Sequence, residues 1–288
     1  MKLSCLPVSL YPALASGELT PGQWIRTAAT LGLDGADLSV AHIRRDAASL
    51  DELRREASDA GVELAMLVTY SDFTHPDPSY RAAQKEDLRE WIGAAARLGV
   101  QALRVTAGQA HPHVSEEDGL AWAADGLSAC ADEARGAGVR LLYENHTRGA
   151  VWTEDDFTLP AARFLEVVRR TAGSGLEILF DTANCLVRRD DPVHVLGEVI
   201  DRLGAVHLSD IRRAGAFEPT VIGTGAAPIG RLLELVTASG FDGWVSIEEA
   251  SRTGEDAFRH AVAFADRTWI AAGGRPRAGG SPGETLRG

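Results

Sequence analysis

Lysine is almost missing from this 288-residue chain: of 29 basic residues only Lys2 and Lys85 are lysines, the rest arginines. Lys2 is at the terminus and Lys85 sits in the charged stretch Gln84-Lys85-Glu86-Asp87, so neither suits a Schiff base in a pocket and lysine-dependent aldol chemistry is disfavoured. Cysteine is scarce too. Cys5, Cys130 and Cys185 are odd in number, widely spaced and without a C-x-x-C pair, as expected of reduced thiols serving as small core residues in a cytoplasmic enzyme. There is no apolar run of about 18 residues to cross a bilayer. The opening Met1-Lys2-Leu3-Ser4-Cys5-Leu6-Pro7 reads as a first strand rather than a signal peptide, since its apolar stretch is short and broken by proline. A net charge of −12 argues against a protein that grips a phosphate backbone. No G-x-G-x-x-G follows an early strand, which weakens a dinucleotide-binding reading. A formal G-x-S-x-G spans Gly279 to Gly283, but with no strand before it and no helix after it the match reads as chance.

What the chain does have is alternation. Short β-like runs (Leu3–Leu10, Gly35–Val40, Glu63–Tyr70, Ala102–Ala107, Val139–His146, Glu177–Asp181, Ala205–Asp210 and Trp244–Glu248) take turns with eight amphipathic stretches. Helix starts are marked at Thr20-Pro21-Gly22-Gln23, Ser49-Leu50-Asp51-Glu52, Ser115-Glu116-Glu117-Asp118, Asp191-Pro192 and Thr253-Gly254-Glu255. Glycines such as Gly32, Gly61, Gly99, Gly138 and Gly240 then close helices just before the next apolar run. Eight such units with doubly buried strands predict a single-domain (β/α)8 TIM barrel over residues 1–272. Residues 273–288, rich in Gly, Pro and Arg, are expected to form a disordered tail.

Active groups in such a barrel belong at the C-terminal strand ends, and four of the last runs carry a metal-capable side chain there: Glu144, Asp181, His207 and Glu248. Three carboxylates and an imidazole gathered at one end of a sheet repel one another unless a positive charge sits among them, and a divalent cation is the economical answer. Strand alternation puts Ser246 and Glu248 on one face and Val245 and Ile247 on the other. It likewise groups His207 with Ala205 and Ser209, and Glu144 with Leu142.

With those residues placed, the chain resembles the sugar isomerase/epimerase superfamily of xylose-isomerase-like TIM barrels, from Leu3 to about Trp269. The resemblance is carried by Tyr143-Glu144-Asn145-His146, Phe180-Asp181-Thr182-Ala183-Asn184, Val206-His207-Leu208-Ser209-Asp210, Gly223-Thr224-Gly225 and Ser246-Ile247-Glu248-Glu249. It implies that Glu144, Asp181, His207 and Glu248 bind one divalent ion, Mn2+ or Mg2+ with Co2+ as an alternative. It also implies that Glu144 and Glu248 move the substrate's proton and that Arg213 holds substrate oxygens. Asn184, a candidate substrate-binding residue, stands where several members have a histidine, and Asn145-His146 occurs in only part of the superfamily, including lyase-like branches.

The resemblance implies a keto-sugar isomerase or epimerase working through a metal-stabilised enediolate between Glu144 and Glu248. The alternative is a lyase or dehydratase acting on a 3-keto sugar, an inosose or dehydroshikimate, with His146 as general acid. Trp152 offers a sugar an apolar face, or packs its own loop. Gly223-Thr224-Gly225 suits either a phosphate cradle or a tight turn, and with lysine so rare an unphosphorylated sugar is expected. His111 and His113 are candidates for a second metal pair or for an ordinary polar loop. Asp210 is expected to cap or pair near the rim, and Glu249 to be structural. The related apurinic endonucleases need three metals and a basic groove, which the early strand ends and the acidic charge do not supply. A non-catalytic sugar-binding barrel would be favoured by a lost ligand, and none is lost. The expected partner is a small-molecule sugar, with no nucleic acid or membrane, and a homo-oligomer is compatible with the sequence.

Overall fold

The computed structural model describes residues 1–278. Eight parallel strands run β1 Lys2–Leu6, β2 Gly35–Ser39, β3 Glu63–Val68, β4 Ala102–Val105, β5 Arg140–Glu144, β6 Glu177–Asp181, β7 Leu203–Leu208 and β8 Trp244–Glu248. The ladder order is β1-β8-β7-β6-β5-β4-β3-β2. The remaining seam, between β1 and β2, is bridged by Asp34 N–H to Leu3 O (2.9 Å) and by Ser4 Oγ to Asp37 Oδ2 (3.0 Å), so the barrel is nearly closed. It is the TIM barrel that the alternation predicted. β6 and β8 have the expected bounds. β1 is shorter, because Pro7 cannot continue the ladder and the chain turns through a 3-10 segment at Val8–Leu10.

Nine helices surround the strands among the described residues: α1 Tyr11–Ser16, α2 Pro21–Thr30, α3 Ala47–Ala60, α4 Pro78–Leu98, α5 Glu116–Gly136, α6 Ala161–Arg170, α7 Pro192–Val199, α8 Ile229–Ala238 and α9 Glu255–Ala271. The one beyond the expected eight is α1, a short segment in the β1 loop. Thr20 forms the predicted capping box, its Oγ1 accepting from Gln23 N while Gln23 Oε1 accepts from Thr20 N. The expected box at Ser49 is displaced. Asp46 caps α3 instead, accepting from both the N–H and the hydroxyl of Ser49, since a carboxylate is the better acceptor for that turn. Gly254, not Thr253, precedes α9 and makes no side-chain cap.

The main core lies between strands and helices, where Trp24, Phe164, Phe180 and Trp269 are buried. A second, smaller core of Leu6, Met66, Val68, Ala102, Leu142, Leu179 and Ala205 fills the barrel itself. All three cysteines are free and buried, as small core residues. No helix among the described residues is long and apolar enough to cross a membrane. The segment after α9, assigned by composition to a disordered tail from Gly273, begins against the barrel floor. Arg277 is buried, bonded to both carboxylate oxygens of Asp266 (2.7 and 3.1 Å), to Asp34 Oδ2 (3.1 Å) and to Gly32 O (2.9 Å). The rest of that segment, with the Gly279–Gly283 match, lies outside the described residues.

Candidate metal centre and active site

Ladder register decides which side chains can meet. Asp181 pairs with His207 and His207 with Ser246, while Glu144 pairs with Leu179 and Leu6 with Glu248. Partners in a parallel ladder face the same way, so all four candidate groups rise on the barrel's inner side at the C-terminal rim. Each offers a ligand atom within 4.8 Å of the other three, the only such group of metal-capable side chains found among the described residues. His207 Nδ1 lies 2.8 Å from Glu144 Oε1 and 3.1 Å from Glu248 Oε2. Glu144, Asp181 and His207 are fully buried, whereas 22% of the Glu248 side chain is exposed. A molecule entering from the mouth therefore meets Glu248 first.

The donor set fits a divalent ion. Glu144 Oε2, Asp181 Oδ2 and His207 Nε2 are buried without a hydrogen-bond partner, an arrangement that costs free energy unless something else satisfies it. The other Asp181 oxygen is spoken for, accepting from Ala183 N (2.9 Å), Asn184 N (2.7 Å) and Ser209 Oγ (2.7 Å), which fixes the free one toward the cluster. Charge tells the same story. Burial first, then the Glu248 and Glu144 carboxylates, push the Asp181 carboxyl well above its ordinary range. Burial disfavours an imidazolium at His207, yet Glu144 and Glu248 outweigh it and raise its pKa.

Two neighbours support the cluster: Arg104, which sequence alone did not single out, and Asn145 of the Asn145-His146 pair. Arg104, on β4, is buried with its Nε 3.2 Å from Glu144 Oε2 and its Nη1 donating to Thr69 O (2.8 Å). Burial opposes the Glu144 carboxylate, but Arg104 and then His207 overcome this and hold it below the usual range. Asn145 clamps β5 to β6: its Nδ2 donates to Asp181 O (3.0 Å) and its Oδ1 accepts from Asp181 N (2.8 Å). The signal for Arg104 was the alternation itself, since Ala102 and Arg104 share the inner face of β4.

Below the cluster, Asp37 accepts from the hydroxyls of Ser4 and Ser246, with Oδ1 unpartnered. Burial raises its carboxyl from 3.8 to about 6 despite those hydroxyls and His207. A pKa above the unfolded value means that Asp37 contributes stability fully below about pH 4 and loses it as pH rises through about 6. The penalty for the ionised form is on the order of 3 kcal/mol. In chelator-treated protein, Asp37→Asn is therefore expected to gain stability relative to the parent between pH 5 and pH 8. Urea unfolding at both values measures this, and a pH-independent difference would contradict it.

The remaining predicted residues are placed as follows. His146 is buried, with Nδ1 3.6 Å from Asp156 Oδ2; neither atom has another partner. Asp156 is pinned by the N–H and hydroxyl of Thr158 (both 2.7 Å). The Trp152 indole meets the His146 ring edge to face at 5.7 Å. Only glycine fits at 149, because a Cβ there would stand 2.8 Å from Trp152 and 3.1 Å from the Tyr70 ring, so these aromatics close over one loop. Asn184 is buried but its amide donates to Asn145 O (3.0 Å), bracing strand ends. Arg213 is not brought into the cluster: its side chain is 71% exposed and paired with Glu218 (2.7 Å), and Arg212 is equally exposed. His111 pairs with Asp72 (2.8 Å) and His113 is exposed, so they form no metal pair. The amides of Gly223 and Gly225 donate to Asp210 Oδ2 (3.0 and 2.8 Å) and Ala227 N to Oδ1 (3.0 Å), so Gly223-Thr224-Gly225 is a carboxylate-pinned turn. Buried Glu249 accepts from Ser251 N (2.9 Å). A cleft of about 240 Å³ lined by Arg54, Glu63, Gln101 and Trp244 opens at the opposite end of the barrel and includes none of these groups.

A family model described as Xylose isomerase-like TIM barrel matches residues 25–268. The chain belongs to that family. Inosose dehydratase of Lacticaseibacillus casei is 26% identical over 155 residues, 48% of this chain and 49% of that protein. The corresponding protein of Geobacillus thermodenitrificans is 26% identical over 142 residues, 43% of this chain and 45% of that protein, so the chain spans about half the length of the curated relatives it matches. Among solved structures, a D-tagatose 3-epimerase-like protein superposes with a TM-score of 0.78 at 18% identity, covering 95% of this chain and 98% of its own. An IOLI protein with a bound zinc atom superposes at 0.76 and 15% identity, covering 94% and 99%. These likenesses establish the shared barrel.

Proposed function

We propose that the protein is a divalent-metal-dependent enzyme that moves a proton on the carbon beside the carbonyl of a keto sugar, as an epimerase or isomerase. The observation that carries the reading is the meeting of Glu144 and Glu248, from strands three positions apart in the barrel, at one imidazole nitrogen. Glu144, Asp181, His207 and Glu248 would hold the ion, for which oxygen-rich donors with one imidazole favour Mn2+ or Mg2+, with Co2+ an alternative. Such an ion supplies positive charge to substrate oxygens, worth several kcal/mol as the neighbouring carbon gives up its proton. Glu248, reachable from the mouth, takes that proton and later gives it up to water, while Glu144, on the far side of the cluster, receives a proton from solvent and passes it to the opposite face or the adjacent carbon, so that one proton enters for each that leaves. Asp181 and His207 keep the two carboxylates at a fixed separation. The Asp210-pinned turn leaves Gly223-Thr224-Gly225 no spare amides at Gly223 and Gly225 for a phosphate, in keeping with an unphosphorylated substrate.

A second reading is favoured by a separate observation, the buried His146–Asp156 pair, and by the relatives named inosose dehydratase. There Glu248 removes the proton and His146 protonates a departing hydroxyl, releasing water. Incubating Mg2+-loaded enzyme with ketoses and an inosose in deuterated water separates the two. Epimerisation or isomerisation keeps the molecular formula apart from deuterium at the reacting carbon, whereas elimination shows a loss of 18 mass units, roughly one water. His146→Gln is expected to abolish elimination while sparing proton exchange. Neither exchange nor elimination across the panel would overturn both readings.

A further inference from the structure

Outside the metal cluster, Gln109 uses every polar atom it has to join three loops at the barrel mouth. It follows β4, and its Nε2 donates to Asp72 Oδ2 (3.0 Å) while its own N–H donates to Asp72 Oδ1 (3.1 Å). Its carbonyl accepts from Thr74 Oγ1 (2.7 Å). Asp72 is buried in the β3 loop and shares Oδ2 with His111 Nε2 (2.8 Å), so it is a fixed anchor. Gly108 permits the approach, because its φ of 134° suits glycine and a Cβ there would collide with Asp72 and Thr74. On the other side, Gln109 Oε1 accepts from Thr153 N (2.9 Å), Thr153 Oγ1 (3.3 Å) and Glu154 N (3.1 Å) in the β5 loop. Three donors on one face and a carboxylate on the other decide which end of the amide is oxygen. Backbone bonds from Ala110 N to Asp155 O and from Phe157 N to Gly108 O (both 2.8 Å) tie down the later part of that loop. Thr153 and Glu154 are exposed, and the Gln109 side chain holds their amides directly after Trp152. Trp152 in turn belongs to a chain of contacts that starts at the cluster. Glu144 lies 3.2 Å from Arg104, whose guanidinium is 5.0 Å from the Tyr70 ring. Tyr70 and Trp152 both close on Gly149, and Trp152 meets His146, two residues past Glu144, at 5.7 Å.

We propose that Gln109 is a positioning residue for substrate binding. Its amide latches the Trp152 segment of the β5 loop to Asp72, so that Trp152 and His146 form a fixed wall for a polyhydroxylated ketone at the mouth. The class of ligand rests on the proposed proton-transfer reading, while the latch itself is a matter of loop order and binding. Gln109→Met keeps the length of the side chain and removes both of its hydrogen-bonding ends. The test follows amide exchange at Thr153 and Glu154 by NMR, and binding of D-fructose, D-tagatose and an inosose to Mg2+-loaded protein by saturation transfer. Mg2+ affinity by calorimetry and deuterium uptake by the ketone are read on the same samples. In the parent these two amides should exchange at least about 100-fold more slowly than in an unfolded chain, although their residues are exposed. Exchange at the unfolded-chain rate in the parent overturns the proposal, whether or not the variant folds. Gln109→Met is expected to lose about 10-fold of that protection and to bind at least one ketone about 10-fold more weakly, with Mg2+ affinity unchanged. Protection lost with ketone binding intact makes Gln109 a brace of the loop alone and overturns the positioning role, as does failure of the parent to bind any of the three ketones. Deuterium uptake by the ketone on the parent, beside equal binding by parent and variant, rejects the latch and leaves the proposed reaction standing. Binding that depends on Gln109 without deuterium uptake supports the latch and rejects the reaction.

Discussion

Glu248→Gln is expected to lower kcat/KM by at least about 10³-fold while leaving the unfolding midpoint within a degree or two of the parent. The substitution keeps size and shape but removes both a proton acceptor and one negative donor of the cluster. Loss of a general base alone costs roughly 10² to 10⁴ in rate, and a weakened ion site adds to that. Stability should hardly change, because Glu248 is the partly exposed member and meets the cluster through His207, 3.1 Å away. Glu144 remains 2.8 Å from the imidazole and still compensates it. Steady-state kinetics on the ketone that shows exchange, with calorimetric unfolding alongside, reads both halves. Activity retained to within about 10-fold would remove Glu248 from the chemistry.

Arg104→Met is expected to produce the largest stability loss, on the order of 3–5 kcal/mol, because it strands the fully buried Glu144 carboxylate and frees Thr69 O of its donor. For a domain of this size that corresponds to a fall in midpoint on the order of 10 °C. Two comparisons distinguish lost charge compensation from lost packing. Adding Glu144→Gln to Arg104→Met should recover much of the loss, a non-additivity expected of directly contacting residues. Saturating Mn2+ should stabilise the arginine variant more than the parent, because a bound cation takes over compensation of Glu144. Thermal scans with and without Mn2+ measure this. Equal losses in all backgrounds would make Arg104 a packing residue only.

The barrel was legible because its signals are local. Apolar runs repeat eight times, punctuated by helix-closing glycines and capping residues, and β6 and β8 fall where the runs do. The four ligand candidates were legible for a related reason. An acid or imidazole at the end of a buried strand has nowhere to go except the rim, so strand position alone places Glu144, Asp181, His207 and Glu248 on one circle. Asp156 was not legible, since it lies on a loop segment whose direction is set by packing against other loops. Arg213 shows the same limit from the other side. Its distance from His207 along the chain suits a pocket, but the β7 loop carries it outward to Glu218. Arg104 stood in plain view on the inner face of β4. A single buried arginine looks like a rim charge until the register puts it beside Glu144. The cap at Asp46 rather than Ser49 is a smaller case, in which two turn-forming residues three positions apart compete and the carboxylate wins.

The most direct test is a calorimetric titration of Mn2+ into chelator-treated protein, beside the same titration of Asp181→Ala and His207→Ala. The predicted result is one ion per chain in the parent and at least 100-fold weaker binding in each variant, the consequence of losing one donor from a four-donor site. Parent protein that takes up no ion, or variants that bind as tightly as the parent, would contradict the account.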